Sequence, residues 1–104
     1  MRRHKFKAKQ TINDGIRFHS KLESNYYSTL KLRQRGGDVL FFLRQVPFYL
    51  PGGVKYVCDF QEFHTDGTVH FVDVKGMETP EFKAKKKMVE ALYPIEIEII
   101  KKVL

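Results

Sequence analysis

Two apolar runs in this chain carry an aspartate where an aspartate is costly. Tyr56-Val57-Cys58-Asp59-Phe60 and His70-Phe71-Val72-Asp73-Val74-Lys75-Gly76 both read as strands. The segment between them, His64-Thr65-Asp66-Gly67-Thr68, reads as a hairpin turn. A charge inside a strand of a small domain is destabilising unless it is paired or held by a cation. The fold therefore has to find partners for Asp59 and Asp73.

The turn decides whether they can partner each other. Side chains alternate along a strand, so Asp73 and Lys75 share a face. A strict two-residue Asp66-Gly67 turn sets Asp59 opposite Val74, on the wrong face. A three-residue loop Thr65-Asp66-Gly67, with the glycine in the left-handed conformation as a bulge, sets Asp59 opposite Asp73. Their Cβ atoms then lie about 5 Å apart. Like charges that close repel unless a cation sits between them, and a hard divalent ion with oxygen ligands is the natural solution.

The rest of the chain frames this hairpin. A helix is expected over about 20–35, with Leu22, Tyr26 and Leu30 at helical spacing, Tyr27 widening the stripe, and Gly36-Gly37 as the stop. Val39 to Leu50 reads as a strand whose second half, with Pro47, is an edge or a bulge. Pro51-Gly52-Gly53 is a turn. Val54–Phe63 and Val69–Lys75 are the hairpin strands. Thr79-Pro80-Glu81 opens a second helix with an N-cap, a first-turn proline and a first-turn acid. Phe82, Val89 and Leu92 form its apolar stripe, and Pro94 ends it. Ile95, Ile97 and Ile99 alternate with Glu96 and Glu98 in a half-exposed last strand. The order αβββαβ allows a parallel crossover around the second helix, so the expected fold is α/β, with a mixed four-stranded sheet flanked by two helices.

At 104 residues one domain is expected, with residues 1–13 as a basic arm that can end in a short extended segment and 14–104 as the domain. Nine Phe and five Tyr in a chain that is 42% hydrophobic argue for a folded core. The net charge of +7 favours a polyanionic partner, nucleic acid being the commonest. The single cysteine, Cys58, excludes an intrachain disulfide and a zinc-finger ligand set, and its strand context makes it a buried small hydrophobe. A reducing cytoplasm is the simplest compartment. No apolar run nears the roughly 18 residues of a membrane span, and the basic N-terminus lacks the apolar segment of a secretory signal. His4, His19, His64 and His70 show no ligand-pair spacing, and no phosphate-binding Gly-x-x-x-x-Gly-Lys-Ser/Thr loop is present.

An aspartate, then an aspartate and a lysine two residues apart, is the set a Mg²⁺-dependent phosphodiesterase needs. The ion polarises a phosphate oxygen and activates water, while the lysine orients that water or balances charge on the phosphate. The alternative is ordinary cross-strand solvation of Asp73 and Lys75, with Asp59 closing a turn.

These residues resemble the PD-(D/E)xK nuclease superfamily, whose core is also αβββαβ, the restriction-endonuclease-like fold. The resemblance covers roughly residues 20–100. Asp59, Asp73 and Lys75 match its strand-two acid, strand-three acid and lysine, and Glu23 occupies the place of its first-helix acid. Glu23, Asp59, Asp73 and Lys75 are spaced as in small phage junction-resolving endonucleases. The stretch Tyr56–Lys87 also looks like small phage-encoded proteins of that superfamily. The chain departs from the pattern in having Asp rather than the commoner Glu before Val74-Lys75, and no proline before Asp59. The resemblance implies Mg²⁺ (with Mn²⁺ substituting) held by Glu23, Asp59 and Asp73. It further implies a DNA substrate, products with 5′-phosphate and 3′-hydroxyl ends, and a phage setting in recombination or replication, with branched DNA such as a Holliday junction as substrate. Paired cuts would call for a homodimer.

Several residues carry two readings. Ser20-x-x-Glu23 is also a capping box, in which Glu23 bonds back to the Ser20 amide. Lys83 and Lys87, one turn apart in the run Lys83-Ala84-Lys85-Lys86-Lys87, are either a solvated face or phosphate contacts. Arg2, Arg3 and Lys5 in the arm are further nucleic-acid contacts or a plain basic tail. Gln45 is either a strand-end polar residue or a water- and phosphate-positioning group. The rival to the nuclease is a non-catalytic nucleic-acid-binding module on the same fold. A third reading, a protein-binding phage accessory factor, predicts no salt-dependent DNA affinity.

Overall fold

A computed structural model describes residues 10–103. The chain runs β1 (Thr11–Asn13), β2 (Ile16–Phe18), α1 (Lys21–Arg35), β3 (Val39–Leu50), a short 3₁₀ turn (Pro51–Gly53), β4 (Val54–His64), β5 (Val69–Val74), α2 (Pro80–Leu92) and β6 (Ile97–Ile100). From α1 onward this is the expected αβββαβ order. The main sheet has the order β3-β4-β5-β6; its first two pairings are antiparallel and β5 pairs with β6 in parallel. The crossover is α2. β3 is an edge strand, which is where Pro47, with no N–H to give, is tolerated.

Thr11–Asn13, the extended end of the basic arm, pair with β2 in a small hairpin around Asp14-Gly15. Both turn residues have positive φ, 57° and 76°, a conformation open to Asp and Gly. The Asn13 side chain donates to Ser24 and Ser28, and the Tyr27 hydroxyl donates to Asp14 at 2.6 Å, so this hairpin is tied to α1. The folded unit therefore begins earlier than residue 14. Arg2, Arg3 and Lys5 lie outside the described residues.

Ser20 caps α1, its hydroxyl accepting from the Glu23 amide at 3.0 Å. Thr79 caps α2, accepting from the Phe82 amide at 3.1 Å, and Pro80 takes the first helical position. Tyr26, Tyr27 and Leu30 are the buried face of α1. Phe82 and Val89 are that of α2, whereas Leu92, in the last turn, is 55% exposed and does not join the core as expected. The helices cover opposite faces of β5: Val72 and Val74 pack in the α1 cluster with Phe18 and Leu30, while Phe71 packs in the α2 cluster with Phe82 and Val89.

The β4–β5 register is the one the three-residue loop demands. Phe63 pairs with Val69, Glu62 with His70, Gln61 with Phe71 and Phe60 with Val72, so the next rung sets Asp59 opposite Asp73. Gly67 has φ 90°, the left-handed conformation that loop requires.

The β3–β4 pair holds a feature that simple alternation misses. Phe42 and Phe60 belong to the α1 cluster, but Val46, Phe48, Tyr56 and Cys58 belong to the α2 cluster, although all are even-numbered. The two strands therefore exchange faces between Phe60 and Cys58. Gln45 makes the turn-over: its φ is +55°, and the paired register is interrupted between Arg44–Phe60 and Val46–Cys58. A left-handed residue that is not glycine costs about 1 kcal/mol, and such strain gathers at functional sites. Gln45 sits in that gap facing Asp59.

Candidate metal and phosphodiester site

Asp59 and Asp73 lie where the β4–β5 ladder ends, and their carboxylates take over from it. The Asp59 amide donates to Asp73 Oδ1 at 2.9 Å, and the Val74 amide donates to Asp59 Oδ2 at 2.9 Å. Each aspartate thus satisfies a backbone group of the opposing strand, which fixes both side chains without a rotameric search. Asp73 is 1% exposed, and its second oxygen, Oδ2, is buried with no hydrogen-bond partner. Burial pushes the Asp73 carboxyl up to about 6, against the opposing pull of the Asp59 amide and Lys75. Asp59 is raised as well, by burial, with the Val74 amide and Lys75 pulling it down.

Glu23 comes in from the first turn of α1. The Ser20 hydroxyl caps the helix, but the Glu23 carboxylate turns the other way, so only half of the capping box forms. Glu23 accepts from Gln45 Nε2 at 3.3 Å and lies 4.0 Å from Arg44. Burial lifts its pKa to about 7, Asp59 adding to the rise and Arg44 and Lys75 opposing it. Gln45 also helps hold the Asp59 pKa down, so the strained residue links the two acids. Arg44 stacks its guanidinium 4.6 Å from the centre of the Phe18 ring.

Lys75 follows β5 by one residue, its amide bonded to Ile100 of β6 at 2.9 Å. Its ammonium lies 5.1 Å from the centre of the Phe82 ring, a cation–π seat that holds it beside Asp73.

The four expected residues, Glu23, Asp59, Asp73 and Lys75, therefore belong to one charge-coupled group. They do not form a three-carboxylate cage. Among the described residues, no group of three or more His, Cys, Asp and Glu side chains can hold a metal ion. Glu23 accepts from Gln45, lies near Arg44 and is coupled in charge to both aspartates. The aspartates alone do fit a small divalent ion. An ionised carboxylate only accepts, so Asp73 Oδ2 is left open to a cation or to a donor N–H or O–H. Mg²⁺ keeps several waters and needs only one or two carboxylates.

Asp73 and Lys75 also open onto a cleft of about 220 Å³, whose other walls include Lys55 and Tyr56 of β4 and Thr79 and Lys85 of α2. Lys83 and Lys87 are exposed and do not line it. Lys85, the residue between them, does. Sequence reasoning passed over Arg44, Lys55, Tyr56 and Lys85. Lys85 lies midway between Lys83 and Lys87, two positions from each, and the other three carry no motif. Cys58 is fully buried, its thiol pushed up to about 12 by burial, so it is a core residue as expected. The histidines are less scattered than the sequence suggested: His64 and His70 stack with ring centres 4.1 Å apart, and His64 bonds to Glu62 at 2.8 Å. No helix among the described residues is long and apolar enough to cross a membrane.

The fold and the cluster define a small mixed α/β domain with an aspartate pair, one member buried and one half-buried, where its hairpin ladder ends, and a lysine-bearing cleft beside it. The chain belongs to the family described as a protein of unknown function, DUF1064, whose profile matches residues 3–104. No curated protein and no solved structure matches it.

Proposed function

We propose that this protein is a divalent-metal-dependent endonuclease that hydrolyses phosphodiester bonds in DNA. The observation that carries the reading is the Asp59–Asp73 pair: a half-buried and a buried acid each bond the opposing strand, one oxygen of Asp73 has no partner, and Lys75 stands beside them. Asp59 and Asp73 are the residues that hold the ion. When bound, Mg²⁺ or Mn²⁺ supplies Lewis-acid polarisation of a phosphate oxygen.

The chain's own groups divide the remaining work. Lys75, fixed over Phe82, donates to the attacking water or to the phosphate oxygen that gains charge. Water oxygen adds to phosphorus opposite the 3′-oxygen and gives up a proton to bulk water; the P–O3′ bond breaks, and the 3′-oxygen takes a proton from bulk water and leaves as a hydroxyl. The ends are then 5′-phosphate and 3′-hydroxyl. Gln45 and Arg44 position Glu23, whose negative charge strengthens the hold of the aspartate pair on a cation.

Branched DNA in phage recombination or replication, inside a bacterial host, is the setting that the resemblance to junction-resolving enzymes supports. Paired cuts need two sites. The row Phe41, Phe63 and Val69 runs across one sheet face, with Phe41 46% and Val69 45% exposed, and offers a surface for a symmetric dimer. Light scattering that gives a monomer at high concentration would remove the dimer.

The rival reading, a non-catalytic nucleic-acid-binding module, draws on a specific observation: each aspartate already serves an opposing backbone amide, which is a structural role. Labelled branched, flapped and linear duplexes, incubated in Mg²⁺ or Mn²⁺ with wild type and Asp73→Ala, separate the two. Cleavage that vanishes in the variant supports the nuclease. Binding without cleavage by either protein supports the module.

A further inference from the structure

We infer that the cleft at the N-terminus of α2 seats a backbone phosphate of a nucleic-acid strand, adjacent to the one at the aspartate pair. The inference rests on the phosphodiesterase reading of that site and extends it to the path of the strand.

Among the described residues three buried side-chain polar atoms lack a hydrogen-bond partner: Arg44 Nε, Tyr56 Oη and Asp73 Oδ2. Tyr56 and Asp73 both line this one cleft. A buried polar group without a partner is destabilising, so two in one cleft point to a ligand that completes them. Tyr56 is 4% exposed, and its ring packs 6.1 Å from that of Phe82, so the hydroxyl is held in place. It has a hydrogen to donate. Asp73 Oδ2, when ionised, can only accept, and a cation would satisfy it. A phosphate accompanied by a divalent ion answers both.

The surroundings have the same chemistry. Lys55, Lys75 and Lys85 reach the cleft from three separate elements. The 13-residue helix α2 begins there, with Thr79 among the lining residues, and the positive end of its dipole favours an anion. Glu81 also lines the cleft, but it is 79% exposed and pairs with Lys85 at 3.5 Å, so an incoming phosphate can displace it into water. Lys55 is exposed, at the outer rim.

Fluorescence anisotropy of a labelled DNA duplex in EDTA tests this without relying on cleavage. Tyr56→Phe keeps the ring and removes only the hydroxyl. It should weaken binding about tenfold, since a hydrogen bond to a charged group is lost, with no fall in melting temperature. Lys55→Ala and Lys85→Ala should each lower the slope of log K against log salt by about one. Lys31→Ala, in a different cleft, serves as control. Wild-type affinity in Tyr56→Phe, with unchanged salt slopes in both lysine variants, would overturn the inference while leaving any Mg²⁺-dependent cleavage, and so the nuclease reading, intact. The expected losses in a protein that never cuts DNA would retain the seat and remove the nuclease. Titration with inorganic phosphate separates the sources: phosphate binding that depends on Tyr56, with DNA affinity unaffected by Tyr56→Phe, would overturn the nucleic-acid strand as ligand.

Discussion

Asp73→Asn should make the metal-free protein more stable at neutral pH. Burial raises the Asp73 carboxyl from 3.8 to about 6. At about 1.4 kcal/mol per tenfold change in proton affinity, holding it charged costs about 3 kcal/mol, and the adjoining cleft lowers this to about 2. Asparagine keeps the oxygen that accepts from the Asp59 amide. Its NH₂ replaces the unpartnered Oδ2, at a cost of about 1 kcal/mol. The net gain is about 1 kcal/mol, or about 4–8 °C for a domain of this size. The sign follows from proton counts. Between 3.8 and about 6 the folded state holds a proton that the unfolded state has released, so wild-type stability falls as pH rises through that window and stays lower above it. Asparagine does not titrate there. Urea unfolding in EDTA, followed by circular dichroism at about pH 4 and pH 7.5, should show the variant gaining on wild type by about 2 kcal/mol between the two. A difference independent of pH would refute the assignment of a strained charge to Asp73.

Other substitutions separate the roles within the cluster. Lys75→Ala should lower the single-turnover cleavage rate by about 10²–10³-fold with little change in Mn²⁺ affinity, as expected of a group that acts on the reacting phosphate. Glu23→Gln should raise the Mg²⁺ concentration for half-maximal cleavage about tenfold, the scale of a group standing behind the ligands. Gln45→Gly relieves the positive φ but deletes the hydrogen bond to Glu23; chemical denaturation should find stability changed by no more than about 1 kcal/mol while cleavage falls.

The hairpin was legible in the sequence because turn chemistry fixes register. Once Gly67 is placed in the left-handed position, Asp59 must face Asp73, and it does. The caps of both helices were legible for a similar reason, since Ser20 and Thr79 act on amides three residues away. Glu23 shows the limit of local reasoning. Its backbone obeys the capping box, but its carboxylate follows Gln45, Arg44 and the aspartates, whose positions depend on the sheet. Gln45 itself was illegible. Even-numbered apolar residues flank Arg44 on both sides in β3 and run from Val54 to Phe60 in β4, and a single arginine does not mark the point where the strands exchange faces. That exchange sends Tyr56 to the α2 side and into the cleft. Leu92 was assigned by spacing alone, but the helix end carries it beyond the sheet. Lys83 and Lys87 were chosen by their shared face, and the phase of α2, set by Phe82 and Val89, selects Lys85 instead.

The Asp59–Asp73 pair as a cation site is what the proposed activity requires. Titrating the protein with Mn²⁺ at pH 7.5 and reading free Mn²⁺ by electron paramagnetic resonance tests it directly. Saturable binding in wild type that is lost in Asp73→Asn, a variant that stays folded, is the predicted result. No binding at millimolar Mn²⁺, or equal binding by the two proteins, would contradict it.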